Sequence, residues 1–563
     1  MNLPPAFARS FVHPFIGALL LLLASFAACG PALYNGFIMD DDCLTDNQLI
    51  RSMSGLFRLW SGAELAPRDE RYWPFLYTVF AAQYKFWELR PAGYHFVNIL
   101  VHGLNGILLY GLLRKLQVGG AWIAAAIFVV HPSHVFSAAW ILDLKTVLST
   151  FLCLMTVRCC LETEGKRRLA MWLLAAMFFS LAMLTKPSVL PLPMGIAALF
   201  WFRSGRMKRT DLICLVGLLA LGLALFALGT YLSRTAKMSE MPKLAWEERA
   251  LIAARAFWFY GFQYLWPMRV MLIPRRWDPN VASIAMWLAL LLLLATTAAL
   301  LFTTKKLGRG PLTALLWFGV LLFPTIGFVP YSYQLLSFVA NRYGYMPDLA
   351  LSAVSGALLY GLLARSGTKA QIALGALCAA VIIGLGLVSY RQTEHLKNAI
   401  TTLERDVQID SKSWAANCQL GLALSHDGRP GEAIPYFEHA IQLFPEASIS
   451  YSGLGHAHLR LGKIEQAVAA YAMALTKDPT SPAANFNLGS VLVDHGNRQI
   501  GIKLLGRAVQ LEPQNSDTHL NYGSALAADG QSTEALFQLN EAIRLNPGNA
   551  FAIENRNRLL KRM

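Results

Sequence analysis

Asp40, Asp41 and Asp42 stand together directly after the first apolar segment of the chain, in FVHPFIGALLLLLASFAACG followed by PALYNGFIMDDD. Adjacent carboxylates repel, and crowding of this kind raises the pKa of one of them. Ionisable groups at a membrane boundary are expensive to hold there and are functional by default. The plainer reading is a solvated acidic loop, and the cations decide between the two. Lys145 follows Asp143 at the start of one apolar segment, and Lys186 lies in MLTKPSVLPLP. Arg275 and Arg276 follow an aromatic-rich segment that contains Arg255, and Arg342 lies in SFVANRYGYMP. His131 and His134 close a further segment as HPSH. A carboxylate beside a hydroxyl acts as a general base. Clustered Lys and Arg near lipid headgroups hold a phosphate, Arg through a bidentate fork. Acids facing cations at one membrane surface suit transfer of a group from a lipid phosphate to an acceptor hydroxyl.

Each residue alone has a plainer role. Asp143 and Lys145 can pair with each other. A lone His-x-x-His more often caps a helix or bonds within a bundle than binds metal. Lys186, Arg276 and Arg342 can be snorkelling anchors. The set is harder to dismiss, because anchoring alone does not call for acids and cations on one face. No motif calls for a cofactor, and a divalent metal ion is left open.

The rest of the chain must position these groups. It has 563 residues, of which 15% are charged, and a mean hydropathy of +0.42. An ordinary soluble protein is excluded. Apolar runs fall roughly at 11–29, 93–113, 119–138, 147–162, 169–185, 188–202, 212–233, 283–303, 312–330, 346–364 and 371–390, near the length a bilayer requires. The first run resembles a signal peptide, with Arg9 before it and Ala27 and Ala28 before Cys29, but Phe26 stands where a lipoprotein box carries Leu. The many runs that follow favour an uncleaved first span. The eight cysteines show no metal spacing, and Cys29 and Cys43 could pair only in an oxidising compartment.

The net charge of +15 does not point to nucleic acid, because much of it sits in short loops. Arg114 and Lys115, Lys166 to Arg168, Arg203 to Arg209, Lys305 to Arg309, and Arg365 with Lys369 all fall on one side if the N-terminus is cytoplasmic. That topology puts the acids, His131, Lys186, Arg275, Arg342 and the tail outside. Segment 250–268 has both flanks external and reads as a re-entrant or interfacial helix. The external loop 30–92 is rich in Trp, Tyr and Arg over 43–92, which reads as amphipathic helices on the outer leaflet. After a linker helix at 391–410, the tail repeats every 34 residues: Gly421, Gly455, Gly489, Gly523; Gly428, Gly462, Gly496, Gly530; Pro445, Pro479, Pro513, Pro547. Ala433, Ala467 and Ala535 keep the phase, with Gly501 at the third repeat. This is the tetratricopeptide (TPR) period, giving four repeats over 411–549 and a capping helix over 550–563. The fold class is all-α, a polytopic membrane domain over 1–390 followed by an α-solenoid.

The ordered series NGFIMDDDCLTDN, YWPFLYTVFAAQYKFWELRPAGYHFVNILVHGLNGILLYGLLRKL, AWIAAAIFVVHPSHVFSAAWILDLKTVLS, LAMLTKPSVLPLP and FVANRYGYMP resembles the membrane half of bacterial TPR-containing GT-C glycosyltransferases. It is more distantly similar to the eukaryotic transmembrane-and-TPR O-mannosyltransferases. The resemblance covers most of residues 30–350 and, by architecture, the tail. It implies a GT-C fold, a polyprenyl-phosphate sugar donor and inverting transfer to a hydroxyl of an acceptor protein or peptide recruited by the TPR groove. The family's acidic pair falls on Asp40 and Asp41, with Asp42 an extra acid. Its cations fall on Lys145, Lys186 and Arg342; Arg255 and Arg276, external by the same topology, are expected to join them in binding the donor phosphate. Asp143 stands where the family has Glu, and Leu144 where bacterial relatives often have Arg. The expected setting is a bacterial inner membrane with the TPR domain periplasmic. The alternative is a non-catalytic scaffold whose TPRs recruit partners for envelope or polysaccharide assembly.

Overall fold

The computed structural model describes residues 13–66, 71–162, 167–233, 244–329 and 331–563. Arg9 and Lys166, used above in reading the topology, lie outside them. The described residues form helices and turns with no strand, in two units divided after Arg405.

The first unit begins with α1 (Pro14–Cys29), whose connection carries the acids into α2 (Asp42–Thr45). Two further helices follow, α3 (Met53–Ser61) and α4 (Pro74–Trp87). Helix α3 buries Gly55 and Leu59 and exposes Met53, Phe57 and Trp60 at i, i+4 and i+7. An outward apolar stripe of this kind suits a helix lying at a lipid surface. The bundle then runs α5 (Pro91–Lys115), α6 (Ala121–Val130), α7 (Val135–Ala139), α8 (Leu144–Cys160), α9 (Arg168–Met183), α10 (Leu192–Ser204) and α11 (Arg209–Leu232). It closes with α12 (Trp246–Leu265), α13 (Ile284–Leu307), α14 (Gly310–Leu322), α15 (Asp348–Arg365) and α16 (Thr368–Glu394). Each apolar run thus has its helix. By length and composition six described helices can cross a membrane, or seven if the pair bent by 53° at Pro132 counts as one span.

Burial shows why lipid must be the solvent. In α13 only 6% of the most apolar window is buried inside the protein, and in α16 only 11%. Helices apolar all round and left uncovered are stable only in hydrocarbon. Helix α5 is the opposite case, packed against α1, α6, α7 and α8. Small residues let the bundle close: a Cβ added at Gly356 of α15 would lie 2.6 Å from that of Ala124 in α6. Helix α12 is one continuous helix that packs on α13 and is absent from the six spans. The linker region holds the end of α16 and α17 (Ala399–Ile409). All eight cysteines are free, Cys29 and Cys43 included.

The second unit is four antiparallel helix pairs: α18 (Trp414–His426) with α19 (Pro430–Leu443), α20 (Ser448–Arg460) with α21 (Ile464–Lys477), α22 (Pro482–His495) with α23 (Arg498–Leu511), and α24 (Ser516–Ala528) with α25 (Ser532–Leu545). Helix α26 (Ala550–Leu560) covers the last pair. The glycine phase has a packing cause. A Cβ at Gly421, Gly455, Gly489 or Gly523 would meet Phe437, Tyr471, Leu505 or Leu539, and these large residues keep the same 34-residue phase. In the third pair Gly501 replaces the usual Ala, and the backbones close until a Cβ there would lie 2.7 Å from the Gly489 carbonyl.

Candidate active site

The acids sit on a 3-10 turn, Met39–Asp41. Met39 enters it at φ +50°, a left-handed conformation that side-chain-bearing residues rarely adopt and that concentrates at functional sites. The turn sends its carboxylates to different places. Asp40 is exposed, Asp42 half-buried, and Asp41 only 1% exposed. Asp41 accepts the Ile38 amide on Oδ2 (2.8 Å) and the Leu142 amide on Oδ1 (2.9 Å). The acid loop is thereby pinned to the segment before α8. Burial pushes the Asp41 carboxyl up to about 7, the two amides oppose the rise, and the charge of Asp40 adds to it.

The segment Asp41 grips leads to Asp143, fully buried, whose Oδ1 accepts the Thr146 hydroxyl at 2.7 Å. Its Oδ2 is buried and takes no hydrogen bond. Thr146 Oγ1 in turn accepts Lys186 Nζ at 2.8 Å. Asp143, Thr146 and Lys186 form one chain in which the hydroxyl passes its proton bond to the acid and takes one from the ammonium. Burial pulls the Lys186 ammonium down to about 8; Asp143 opposes that fall, while Lys145 and Arg342 add to it. Arg342 stands among aromatic faces, its guanidinium carbon 4.6 Å from the Tyr333 ring centre, 5.2 Å from Tyr343 and 5.3 Å from Trp140. Asp40 and Asp143 both lie within its electrostatic reach. Lys145 Nζ lies 4.8 Å over Trp73. Thr146, Lys186, Ser188, Thr325, Arg342 and Tyr343 line a small cavity.

The structure therefore gathers Asp40, Asp41, Asp143, Lys145, Lys186 and Arg342 around one site. It does not gather the others. Arg255 lies over Trp277 at 4.4 Å and reaches the Met286 sulfur, and Arg276 lies over Phe338 at 5.0 Å; neither lines the cavity. His131 and His134 are sealed in the bundle. His131 stacks on Tyr264 (4.3 Å, 4°), gives Nε2–H to its carbonyl at 2.9 Å and meets the Ser133 hydroxyl on Nδ1. His134 gives Nδ1–H to Phe128 O (2.8 Å), and its Nε2 lies 3.2 Å from Asp348 Oδ2. Asp348, Thr146, Trp140, Tyr333 and Tyr343 were not singled out in the sequence. Thr146 had a signal, an acid three residues before it at a helix start, and Tyr343 adjoins Arg342. Among the described residues no group of three His, Cys, Asp or Glu is placed to hold a metal ion.

A membrane helix bundle bearing a Lys186–Arg342 cavity, with Asp40 and Asp143 within electrostatic reach of that arginine, joined to a TPR solenoid, defines the class of protein. Comparison with known proteins agrees with it. Residues 88–229 match the dolichyl-phosphate-mannose-protein mannosyltransferase family profile, and 418–482 and 486–550 match the tetratricopeptide repeat. The first match contains Lys145 and Lys186 and stops short of the acid loop and Arg342. The chain is 22% identical over 448 residues to protein O-mannosyl-transferase F38B6.6 of Caenorhabditis elegans, covering 76% of this chain and 62% of the relative. It is 26% identical over 161 residues to protein O-mannosyl-transferase TMTC3 of Mus musculus, covering 27% and 18%. It spans less than two thirds of the length of either relative. A solved TPR protein with an unusual peptide-binding site, YrrB, matches with a TM-score of 0.25 at 20% identity, covering 28% of this chain and 81% of that one. The chain is thus a TPR-containing membrane protein that is similar over residues 88–229 to the mannosyltransferase family and distantly similar to the O-mannosyl-transferases named above.

Proposed function

We propose that the chain is an inverting GT-C glycosyltransferase that moves a sugar from a polyprenyl phosphate to an acceptor hydroxyl, on Ser or Thr of a protein, at the external face of a bacterial inner membrane. One observation carries the reading: Asp40 lies within electrostatic reach of Arg342 in the Lys186–Arg342 cavity, and its neighbour Asp41 is bonded to Leu142 at the head of the Asp143–Thr146–Lys186 chain. The acceptor oxygen attacks the anomeric carbon as the carbon–oxygen bond to phosphate breaks. Its proton passes to Asp40 or Asp41, and the lipid phosphate leaves with the bonding pair. Lys186 and Arg342, with Lys145 beside them, neutralise that departing charge, the preorganised electrostatics that usually dominate such rates. In this reading the solenoid lies on the same side of the membrane, holds the acceptor and raises its local concentration.

The test is direct. Purified protein is given labelled polyprenyl-phosphate sugars and envelope proteins, and glycopeptides are read by mass spectrometry. Transfer by the wild type that disappears in Asp40→Asn and Asp41→Asn is the expected result. No transfer with any donor, alongside intact partner binding, would leave a scaffold.

A further inference from the structure

Three polar residues on α5 recur at i, i+4 and i+7, on one helix face: Asn98, His102 and Asn105. Their relative exposures are 0%, 1% and 0%, in a helix long and apolar enough to cross the membrane. Burying amides and an imidazole there is expensive unless each is used. Each Asn donates through its amide nitrogen and His102 bonds through both ring nitrogens, while the Asn98 and Asn105 side-chain oxygens take no hydrogen bond, and the partners that are met share a pattern.

Asn98 Nδ2 donates to the carbonyls of Trp140 (2.7 Å) and Ile141 (3.3 Å). Those residues immediately precede Leu142, whose amide grips Asp41, and Asp143. Asn105 Nδ2 donates to Val147 O (2.9 Å), the residue after Thr146, and to the Tyr345 hydroxyl (3.1 Å). His102 meets the same Tyr345 hydroxyl on Nδ1 (2.7 Å) and Val129 O on Nε2 (2.9 Å). A carbonyl only accepts, so Nε2 carries the proton and Nδ1 is the acceptor. The direction of the chain is then fixed: Asn105 donates to Tyr345, and Tyr345 donates to His102. Tyr345 is fully buried and lies three residues beyond Arg342.

One straight helix face thus holds the three segments that supply the acid pin, the Thr146–Lys186 chain and the Arg342 loop. We infer that Asn98, His102 and Asn105 are a positioning spine that sets the distance between the acids and the cations, with Tyr345 its link to Arg342. The inference rests on the reading of the cavity as a phosphate site. It assigns these residues no contact with the sugar or the reacting atoms.

A double-mutant cycle tests it, with affinity for a C55 polyprenyl monophosphate in detergent micelles as the readout. The full-length wild type, Tyr345→Phe, Arg342→Ala and the double variant are compared. Tyr345→Phe keeps the buried ring and removes only the hydroxyl. It should weaken binding at least tenfold, and the double variant should bind within twofold of Arg342→Ala, because the spine acts through that arginine. Ser25→Ala, which removes a comparably buried bond from α1 to the Ile99 carbonyl of α5, should bind like the wild type. Two losses that multiply in the double variant, an equal loss in Ser25→Ala, or wild-type binding by Tyr345→Phe would each reduce the spine to a bundle clamp and overturn the inference. If Tyr345→Phe does not fold, Asn105→Ser takes its place in the same cycle. A wild type that binds no polyprenyl phosphate would instead overturn the phosphate-site reading and the inference built on it, an outcome distinct from the others.

Discussion

Replacing Asp41 by Asn separates its chemistry from its place in the fold. The carboxyl moves from an ordinary 3.8 to about 7 on folding, about 3 pK units and roughly 4 kcal/mol in favour of the neutral acid. The sign follows from linkage. With the folded value above the unfolded one, the stability Asp41 contributes is complete below pH 3.8 and is lost as pH rises through about 7. Asn carries no proton to lose and escapes that decline. Its cost is one of the two amide bonds now made to Ile38 and Leu142, because its NH2 cannot accept; that is about 1–3 kcal/mol at every pH. Melting of the detergent-solubilised variant against wild type should therefore improve by up to ~4 kcal/mol, several degrees, between pH 4 and pH 8. At pH 7–8, where Asp41 of the wild type is ionised, sugar transfer should fall by about a hundredfold or more, the usual contribution of a general base. Asp40→Asn, at an exposed position, should lose transfer with little change in melting at either pH. Wild-type turnover in both variants would remove the acids from the mechanism. A melting difference between Asp41→Asn and wild type that does not change with pH would refute the buried-carboxylate argument itself.

Four further outcomes are expected. Arg342→Ala should weaken donor binding by about 2–5 kcal/mol, as loss of one partner from a buried charged contact does; unchanged donor affinity with only lowered melting would make it an anchor. Thr146→Val keeps shape but removes the hydroxyl between Asp143 and Lys186, two bonds to charged groups worth about 1.5–3 kcal/mol each, so single-turnover transfer should slow by at least tenfold. The pH profile of kcat/KM should be a narrow bell, rising through about 7 as Asp41 ionises and falling through about 8 as Lys186 loses its proton; Lys186→Arg should abolish the alkaline fall, and an unchanged fall would place it on another group. Deleting residues 411–563 should spare transfer to a short soluble peptide and impair transfer to the natural protein acceptor, as glycopeptide yields would report.

The sequence made the repeats and the apolar helices legible because both are local signals. A 34-residue phase repeats the packing of one large residue on one glycine, from Gly421 with Phe437 to Gly523 with Leu539. A run of apolar residues encodes its own solvent. The cavity was legible only in part, and Arg255 and Arg276 show why. Loop charges assign a residue to one side of a membrane, and they assign these two to the same side as Lys186 and Arg342. They say nothing of angular position around the bundle, and that coordinate puts Arg255 beside Met286 and Arg276 beside Phe338 rather than in the cavity. His131 and His134 take the plainer role weighed for them, bonding within the bundle. Hydropathy ends their helix at HPSH, but the 53° bend at Pro132 turns the motif inward, where carbonyls and Asp348 satisfy it.

The same limit explains the deepest omission. The bond from Leu142 to Asp41 spans 101 residues, and that from Asn105 to Tyr345 spans 240. Neither leaves a periodic trace, because one amide or hydroxyl is enough to make it. What the sequence did display was an anomaly of expense: Asn98, His102 and Asn105 in a segment where Leu would be cheaper in lipid. In a membrane helix such residues are retained only where a partner repays their burial. Their spacing at i, i+4 and i+7 states that the partners lie along one face. Read in that way, polar residues inside an apolar span mark long-range contacts that no local pattern can supply.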